Sequence, residues 1–406
     1  MRKILIIFVA ILILIMPIYV SAYSGPVLPQ NSTEFVGSMD AKSAVLFDMK
    51  TGSILYDKDG EEKRPIASVT KVMTILLIAE AIEQEIISYD DVLTTSRTAY
   101  KAGQEGTSIF LEVGEEATVR ELFAAVVIAS ANDAANVLAE AISGTVELFV
   151  AKMNTRAIEL GMKNTSFLDP CGLNDKAYST AYDIALMSRE LINSHYDKIA
   201  EYLNTYLAYF KDDSNDRAEM LNTNRKFMRG YSYATGLKTG WTTLAGFCLT
   251  ATAQKEDMHL NAVVLGCKNS SSRYQDVKNL LNYGFAQYKM NLVYQANAIV
   301  KDMKVLKGNK VNVNVITEKP IAVLLNQSQS SKDIEVIINL PDSLIAPLKV
   351  GQKVGSVVVK RNGIEVVNQP VICSENIKKA SFLDIWKRIF NKWILHIKKQ
   401  EAILRQ

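Results

Sequence analysis

Three short motifs contain the side chains of this chain that are best suited to nucleophilic chemistry. In order along the sequence they are Ser68-Val69-Thr70-Lys71, Ser130-Ala131-Asn132 and Lys238-Thr239-Gly240. The first motif supplies a hydroxyl nucleophile and, one helical turn later, an amine that can act as its base. The serine of the second motif can relay a proton, and the lysine of the third can hold an anion. Together the motifs predict attack on an amide through a serine acyl-enzyme.

The first motif lies at the start of a helix predicted from Ala67 to about Gln84. Residues 72–79 are apolar nearly all round, so this helix should be buried. The free N–H groups and the dipole at its N-terminus favour the negative charge that develops during attack on a carbonyl. Apolar surroundings lower the pKa of a lysine, which makes Lys71 a candidate base. Taken alone, Ser68 and Lys71 would be a helix cap and a solvated lysine, so their interpretation depends on the other motifs.

Both other motifs have a second match in the chain. Ser374-Glu375-Asn376 lies in a polar stretch near the C-terminus, and Lys50-Thr51-Gly52 fills a predicted hairpin turn. By contrast, Ser130-Ala131-Asn132 lies at a break between two predicted helices, where side chains can face a cleft. Lys238-Thr239-Gly240 lies on a predicted strand, and its glycine would allow a substrate backbone to come close. The order of the motifs and these contexts identify the candidate site.

The remaining pattern predicts an α/β fold in residues 38–290. A hairpin is expected over residues 43–58, and later strands over 236–239, 247–253 and 260–265. Helices are expected from Thr118, where a capping box with Glu121 is present, to a break near Ser130. Further helices are expected over residues 132–142, 145–160, 180–193 and 272–287. The early and late strands should form one sheet with the helices around it.

The C-terminal part has a different pattern. Residues 291–376 show short alternating strands, with Asn362-Gly363 as a two-residue hairpin turn, and predict a small all-β domain. Residues 377–406 form a last segment in which apolar residues recur at three- and four-residue spacing from residue 381 onward. Tryptophans lie on the apolar side and lysines and arginines on the other, which favours a helix lying in an anionic membrane surface through residues 381–406. The alternative is a helix packed on the body of the protein.

The N-terminus predicts export. Two basic residues precede an apolar run that ends in a small-residue cleavage pattern, so residues 1–22 are interpreted as a signal peptide. A transmembrane anchor is the alternative, although the run is short for one. Residues 23–37 should be a flexible linker. The body of the protein should therefore act at the outer face of the cytoplasmic membrane.

Charge, histidine and cysteine content argue against several classes. The chain has 46 basic and 43 acidic residues, a net charge of +3, which indicates no nucleic-acid partner. The histidines form no H-E-x-x-H motif, so neither a metal nor another cofactor is predicted. Cys248 and Cys267 fall on successive predicted strands and could lie close together, or they could be buried free thiols.

With these motifs the chain resembles the penicillin-binding proteins of the D-alanyl-D-alanine carboxypeptidase type, and the set of motifs is a known signature. The resemblance covers nearly the whole chain and includes four further segments: Asp48–Tyr56, Pro65–Thr74, Phe167–Leu173 and Gly236–Thr242. It implies a β-lactamase/transpeptidase-like domain, an antiparallel sheet with a helical cluster. A small all-β domain and a C-terminal amphipathic helix should follow.

The resemblance also implies roles for the catalytic residues. Ser68 would attack the carbonyl of the penultimate D-alanine of a peptidoglycan pentapeptide stem, and Lys71 would take its proton. Ser130 would relay that proton to the departing amine. The backbone N–H groups of Ser68 and Trp241 would form the oxyanion hole. β-Lactams would be trapped as a long-lived acyl-enzyme.

The remaining site residues are expected to bind substrate. By the same resemblance, Asn132 would hydrogen-bond the substrate amide, and Lys238 and Thr239 would hold the terminal carboxylate. Gly240 and Trp241 complete the strand that faces the substrate.

Other functions fit the sequence less well. A D,D-endopeptidase or a β-lactamase could use the same residues, although chain length, the β domain and the tail weigh against a β-lactamase. A catalytically idle penicillin-binding protein is disfavoured by the intact motifs. A Ser–His–Asp hydrolase lacks its G-x-S-x-G motif here. Departures from common family residues at Ala131, Thr223 and Trp241 leave the chemistry intact and concern side-chain preference and β-lactam profile.

Overall fold

The computed structural model describes residues 37–211 and 218–404 of the chain. The predicted signal peptide, residues 1–22, and the linker up to residue 36 lie outside the described residues. The strands of the first part are β1 (Ser43–Asp48), β2 (Ile54–Lys58), β3 (Val92–Thr94), β4 (Glu116–Thr118), β5 (Leu207–Tyr209), β6 (Glu219–Leu221), β7 (Ala234–Thr242), β8 (Gly246–Lys255) and β9 (Met258–Cys267). Its helices are α1 (Lys71–Glu83), α2 (Arg97–Ala102), α3 (Val119–Ile128), α4 (Asn132–Ser143), α5 (Val146–Glu159), α6 (Ala181–Asn204), α7 (Arg225–Gly230) and α8 (Ser270–Gln287).

Five of these strands form one antiparallel sheet in the order β2-β1-β9-β8-β7. Successive side chains of a strand point to opposite faces, so both faces of this sheet must be covered. Val45 and Phe47 pack in the core shared with α1, α3, α4 and α6, whereas Ala44 and Leu46 pack in a second core under α8. The early and late strands therefore combine as predicted.

Helix α1 lies at the centre of the helical cluster. Its residues 71–79 are all buried, as the absence of a polar face predicts. The predicted start at Ala67 was wrong by one turn, because Ala67–Thr70 is a 3-10 turn and the α-helix begins at Lys71. The capping box of Thr118 and Glu121 is present at the start of α3.

Helix α6 is longer than its sequence pattern indicates. The prediction ended it at residue 193, but the helix continues to Asn204 through a kink at His195, where φ is −136°. The kink shifts the apolar period, and Ile199 and Leu203 then continue the buried face. The short helices α2 and α7 and the small strand pairs β3–β4 and β5–β6 were also missed, because elements this short carry little periodicity.

The cysteines in the sheet lie on opposite faces. Cys248 packs in the core of the helical cluster, and Cys267 packs in the core under α8. A bond between them is therefore not formed, and all four thiols in the described part of the chain are free and buried.

The second part is all β. Its strands are β10 (Tyr288–Tyr294), β11 (Ile299–Leu306), β12 (Asn312–Thr317), β13 (Ile321–Asn326), β14 (Ile334–Asn339), β15 (Leu344–Ile345), β16 (Lys353–Arg361) and β17 (Ile364–Cys373). One sheet has the order β14-β16-β17-β12-β11-β15, and β10 pairs with β13. Arg361 pairs with Ile364 across the predicted Asn362-Gly363 turn, where both φ angles are positive. The predicted domain limits stay predictions; in the structure β10 begins at Tyr288, and Ile377 is buried in the β core.

The tail forms helix α9 (Phe382–Leu404). Ser381 and Asp384 cap its N-terminus, and Arg388 Nη2 donates to the Gly308 carbonyl, 2.6 Å away. Its apolar side chains are exposed rather than packed on the body: Phe382, Leu383, Ile385, Trp386, Ile389, Phe390 and Trp393. Within the described ranges no single helix is long and apolar enough to cross a membrane, although the bent pair α4–α5 passes that test on length and composition.

Candidate active site

The 3-10 turn before α1 presents Ser68 at the edge of the β-sheet. Three turn residues, Ala67, Val69 and Thr70, are buried and fix it between α1 and β7, whereas Ser68 itself is partly exposed. The turn is also held from the other side: a Cβ on Gly172 would lie 1.9 Å from the Ala67 carbonyl oxygen. The nucleophile of the first motif is thus positioned by close backbone packing.

Lys71 is fully buried, and its amine has three polar neighbours. Nζ lies 2.6 Å from Asn132 Oδ1, 3.1 Å from the Cys171 carbonyl oxygen and 3.3 Å from Ser68 Oγ. Burial lowers its pKa, which favours the neutral amine. A neutral amine has two hydrogens, which the two carbonyl-type oxygens accept, and one lone pair, which then faces the Ser68 hydroxyl. This geometry suits a base that takes the serine proton.

The second motif approaches from between α3 and α4. Asn132 opens α4, and its Oδ1 contact with Lys71 joins the first two motifs. Ser130 has a left-handed backbone, with φ of +65°, and its buried Oγ has no hydrogen-bond partner among the described residues. Non-glycine residues in this conformation concentrate at functional sites. An unpartnered hydroxyl here is available to a ligand.

The third motif lies on β7, which runs against the nucleophile turn. A Cβ on Gly240 would lie 2.7 Å from the Ile66 carbonyl oxygen and 3.1 Å from the backbone nitrogen of Ser68. Only a glycine allows this approach, which brings the backbone before Trp241 beside the N–H of Ser68. Trp241 itself is 57% exposed.

The third motif also contributes a buried lysine. Lys238 is 1% exposed, its Nζ donates to the carbonyl of Thr239 at 3.0 Å, and Thr239 is buried beside it. Burial, followed by the charges of Lys71 and Arg273, lowers the pKa of Lys238 well below its ordinary value. The structure thus joins Ser68, Lys71 and Asn132 by hydrogen bonds and packs Gly240 on the nucleophile turn. The other predicted site residues are neighbours of these in the chain: Ser130, Lys238, Thr239 and Trp241.

Arg273 was not predicted from the sequence as a site residue. This α8 residue is 6% exposed, and its Nη1 donates to the carbonyls of Gly240 and Cys248, each at 3.2 Å. Arg273 therefore fixes the backbone of the third motif at Gly240 from the side of α8. Lys71, Lys238 and Arg273 form no ion pair with a carboxylate within 4.0 Å among the described residues. We call these three residues the basic cluster.

The role of the loop after Phe167 was not predicted either. Asp169 Oδ1 accepts hydrogen bonds from the backbone nitrogens of Cys171 and Gly172, at 2.7 and 2.5 Å. This carboxylate shapes the turn that delivers the Cys171 carbonyl to Lys71. Phe167–Leu173 was noted only as a segment typical of the family; the signal was the Asp-Pro-Cys-Gly turn within it.

The second matches to the motifs lie elsewhere. Lys50-Thr51-Gly52 is a turn in which Thr51 bonds to Asp48, and Ser374 follows the last strand of the β part, where its N–H donates to Asn314. They serve as matched controls for mutations in the site.

One group in the described residues could hold a metal ion by distance alone. Ligand atoms of Glu80, Glu190 and His195 lie within 4.8 Å of one another. However, Arg156 Nη2 is 2.8 Å from Glu80 and 3.1 Å from Glu190, so a guanidinium already occupies the space between the carboxylates. These residues fit an ion-pair network between helices α1, α5 and α6.

The close packing of Gly240 gives a prediction. Gly240→Ala will push β7 away from the nucleophile turn, since a Cβ would meet backbone atoms on both Ile66 and Ser68. We expect acylation to slow about 100-fold and the free energy of unfolding to fall by about 1–3 kcal/mol. Acylation by a fluorescent penicillin and thermal unfolding measure the two effects. Gly230→Ala is the control, because its Cβ meets only the flexible end of Lys278; equal rates in both variants would contradict the packing argument.

Comparisons with known proteins agree with this architecture. The family described as D-alanyl-D-alanine carboxypeptidase matches residues 30–269, and the family described as penicillin-binding protein 5, C-terminal domain, matches residues 288–379. The chain belongs to the D-alanyl-D-alanine carboxypeptidase family.

Individual relatives match over most of their length. D-alanyl-D-alanine carboxypeptidase DacF of Bacillus subtilis is 40% identical over 87% of this chain and 90% of that relative. DacC of Escherichia coli is 31% identical over 88% and 90%. The crystal structure of penicillin-binding protein 5 from Haemophilus influenzae, 27% identical, covers 86% of this chain and all of that one, with a TM-score of 0.72.

The predictions of family and fold are confirmed. The protein is a hydrolase, a serine-type D-Ala-D-Ala carboxypeptidase of the penicillin-binding class, with a transpeptidase-like domain followed by an all-β part. The roles of its individual residues stay predictions.

Proposed function

We propose that this protein removes the terminal D-alanine of peptidoglycan pentapeptide stems through an acyl-enzyme on Ser68. The observation that carries this assignment is the environment of Lys71, a buried amine with two acceptors and one serine hydroxyl around it. A neutral amine so placed removes the hydroxyl proton as the oxygen attacks the penultimate D-alanine carbonyl.

The other motif residues take the remaining steps. The oxyanion lies between the N–H groups of Ser68 and Trp241, where β7 comes closest to the nucleophile turn. Ser130, with its unpartnered hydroxyl, passes the proton from Lys71 to the nitrogen of the departing D-alanine. Water then attacks the ester, the shortened peptide leaves, and Ser68 regains its proton.

Substrate binding uses the polar groups on either side. Lys238 and Thr239 hold the terminal carboxylate. Burial lowers the pKa of Lys238 in the empty site, and a bound carboxylate favours the protonated amine. The Asn132 amide, which already donates to the Glu105 carbonyl at 2.5 Å, is placed to bond the substrate backbone. Gly240 and Trp241 line the strand along which the peptide lies.

The same chemistry supports acylation by β-lactams. A solved relative, penicillin-binding protein D2 of Listeria monocytogenes, has been crystallised in a cefotaxime-bound form; it is 29% identical over 61% of this chain, with a TM-score of 0.53. In a β-lactam the leaving nitrogen stays attached after ring opening, so the ester here should persist.

The decisive experiment combines two readouts on the protein without residues 1–22. D-Alanine release from a pentapeptide ending in D-Ala-D-Ala tests the reaction, and the mass of a benzylpenicillin adduct mapped to the Ser68 peptide tests the nucleophile. Release with an adduct on Ser68 supports the proposal. An adduct without release would instead favour the idle penicillin-binding alternative, and an adduct on another serine would overturn the site.

We further propose that the protein acts outside the cytoplasmic membrane and is held there by residues 381–406. The exposed row of apolar side chains on α9, with Trp386 and Phe390 stacked 5.7 Å apart, supports membrane-surface contact. Export depends on the predicted signal peptide, residues 1–22, which lies outside the described residues.

Truncation tests the tail. A chain without residues 1–22 that ends at Ala380 should stay in the supernatant with anionic vesicles, whereas the full tail should pellet. The cut follows Ala380 rather than the predicted end of the β domain at residue 376, because Ile377 is buried in the β core and its backbone pairs with Leu348. Catalysis on a soluble pentapeptide should be unchanged. Equal pelleting of both forms would contradict the role of the tail, and Trp386→Gln should give an intermediate result.

A further inference from the structure

A short loop lies directly on the second motif. The Glu105 carbonyl accepts a hydrogen bond from Asn132 Nδ2 at 2.5 Å, and the Thr107 carbonyl accepts one from the Asn132 backbone at 2.8 Å. Thr107 Oγ1 in turn donates to the Ser130 carbonyl at 2.6 Å. Three hydrogen bonds therefore join the loop to the motif.

Asp133, the residue after Asn132, clamps the next part of this loop. Its buried carboxylate accepts hydrogen bonds from Ser108 Oγ at 2.5 Å and from the N–H groups of Ile109 and Leu111, each at 3.1 Å. Ile109 and Leu111 are buried in the helical core. Phe110, between them, is 73% exposed.

The backbone of Phe110 is unusual for its side chain. Its φ is +59°, in the left-handed region that residues with a bulky side chain rarely adopt, and its N–H donates to Ser108 Oγ at 2.9 Å. Glycine or asparagine would fit this position with less strain. An exposed phenyl ring contributes little to folding, so neither conformation nor burial explains an aromatic residue here.

We propose that Phe110 is a specificity-determining residue whose ring packs against the stem peptide N-terminal to the penultimate D-alanine. The hydrogen bonds of Asp133 to Ser108, Ile109 and Leu111 hold the backbone around Phe110 beside the helix that Asn132 begins, so the ring extends from a fixed point of that loop. Its apolar surface suits the aliphatic side chain of the preceding stem residue, and it would contact the acyl side chain of a β-lactam in the same way. This inference rests on the carboxypeptidase reaction proposed above.

The test compares two substrates in the wild-type protein and in Phe110→Gly. The first substrate is a pentapeptide stem ending in D-Ala-D-Ala, and the second is acetyl-D-Ala-D-Ala, which lacks the preceding residues. We expect kcat/KM for the pentapeptide to fall about tenfold in the variant, mainly through KM, as loss of one aromatic contact predicts. Turnover of the short substrate should change less than twofold, and Tm should stay equal or rise because glycine relieves the strained φ.

The controls separate the alternatives. Ile158→Ala removes an equally exposed apolar side chain from α5 and should change neither substrate. Phe110→Asn repeats the test with a second residue that tolerates left-handed φ. An unchanged pentapeptide rate, an equal loss on both substrates, or a lowered Tm in both variants would overturn the inference. Absence of release by the wild-type protein would instead refute the proposed reaction.

Discussion

Replacing Ser68 by alanine will reduce D-alanine release by about 10⁴-fold or more, because it removes the hydroxyl that lies 3.3 Å from the Lys71 amine. The fluorescent penicillin adduct should be lost together with the peptidase activity. Thermal stability should be nearly unchanged, since the only side-chain hydrogen bond found for Ser68 in the described structure is the 3.3 Å contact with Lys71. Steady-state release of D-alanine and gel labelling measure both effects.

Ser374→Ala is the matched control for this result. Ser374 belongs to the second S-x-N match and lies after the last strand of the β part, away from α1. The control should retain full activity. If Ser68→Ala still formed the penicillin adduct, another nucleophile would have to be sought.

Replacing Lys71 by arginine will reduce the rate of acylation by about 10³-fold, although a basic side chain is retained. A guanidinium keeps its proton at any accessible pH and cannot accept the one on Ser68. It is also too large for a site in which Nζ already has three neighbours within 3.3 Å. Stopped-flow acylation by a chromogenic cephalosporin measures the rate, and Lys50→Arg in the hairpin turn is the control.

The wild-type pH profile carries the same information. The neutral amine of Lys71 is the active form, so acylation should rise with pH as this group loses its proton. Its lowered pKa moves that rise below the range of an ordinary lysine. The rising limb should disappear in Lys71→Arg; a limb that persists there would assign the titration to another group.

The sequence was sufficient to name the candidate site residues, because these lie in short motifs; their roles in the reaction stay predictions. Ser68 and Lys71 are one helical turn apart, so local geometry alone brings them together. The sheet was also predictable. Its strands come before and after a long run of helices, and such strands have few arrangements other than one sheet packed against those helices.

The supporting residues could not be predicted in this way. Lys71 donates to the Cys171 carbonyl, 100 positions later in the sequence, and Arg273 donates to the Gly240 carbonyl, 33 positions earlier. Such contacts depend on how α8 and the loop after Phe167 pack, which no local pattern encodes. The late end of α6 was missed for a related reason: the kink at His195 breaks the period from which helix length is estimated.

The basic cluster has a consequence for the stability of the protein when no ligand is bound. Among the described residues, Lys71, Lys238 and Arg273 are buried with no carboxylate within 4.0 Å. Desolvation opposes the protonated form of both lysines, and repulsion by Lys71 and Arg273 opposes the charge of Lys238 further, so the pKa of each lysine is lowered. An anion in the cleft relieves this repulsion only in the folded chain, so its binding and the folding equilibrium are linked. The protein should therefore be least stable when empty, and even a short D-alanyl carboxylate should raise its melting temperature. Occupancy of the site by an anion would thus add to the stability of the fold.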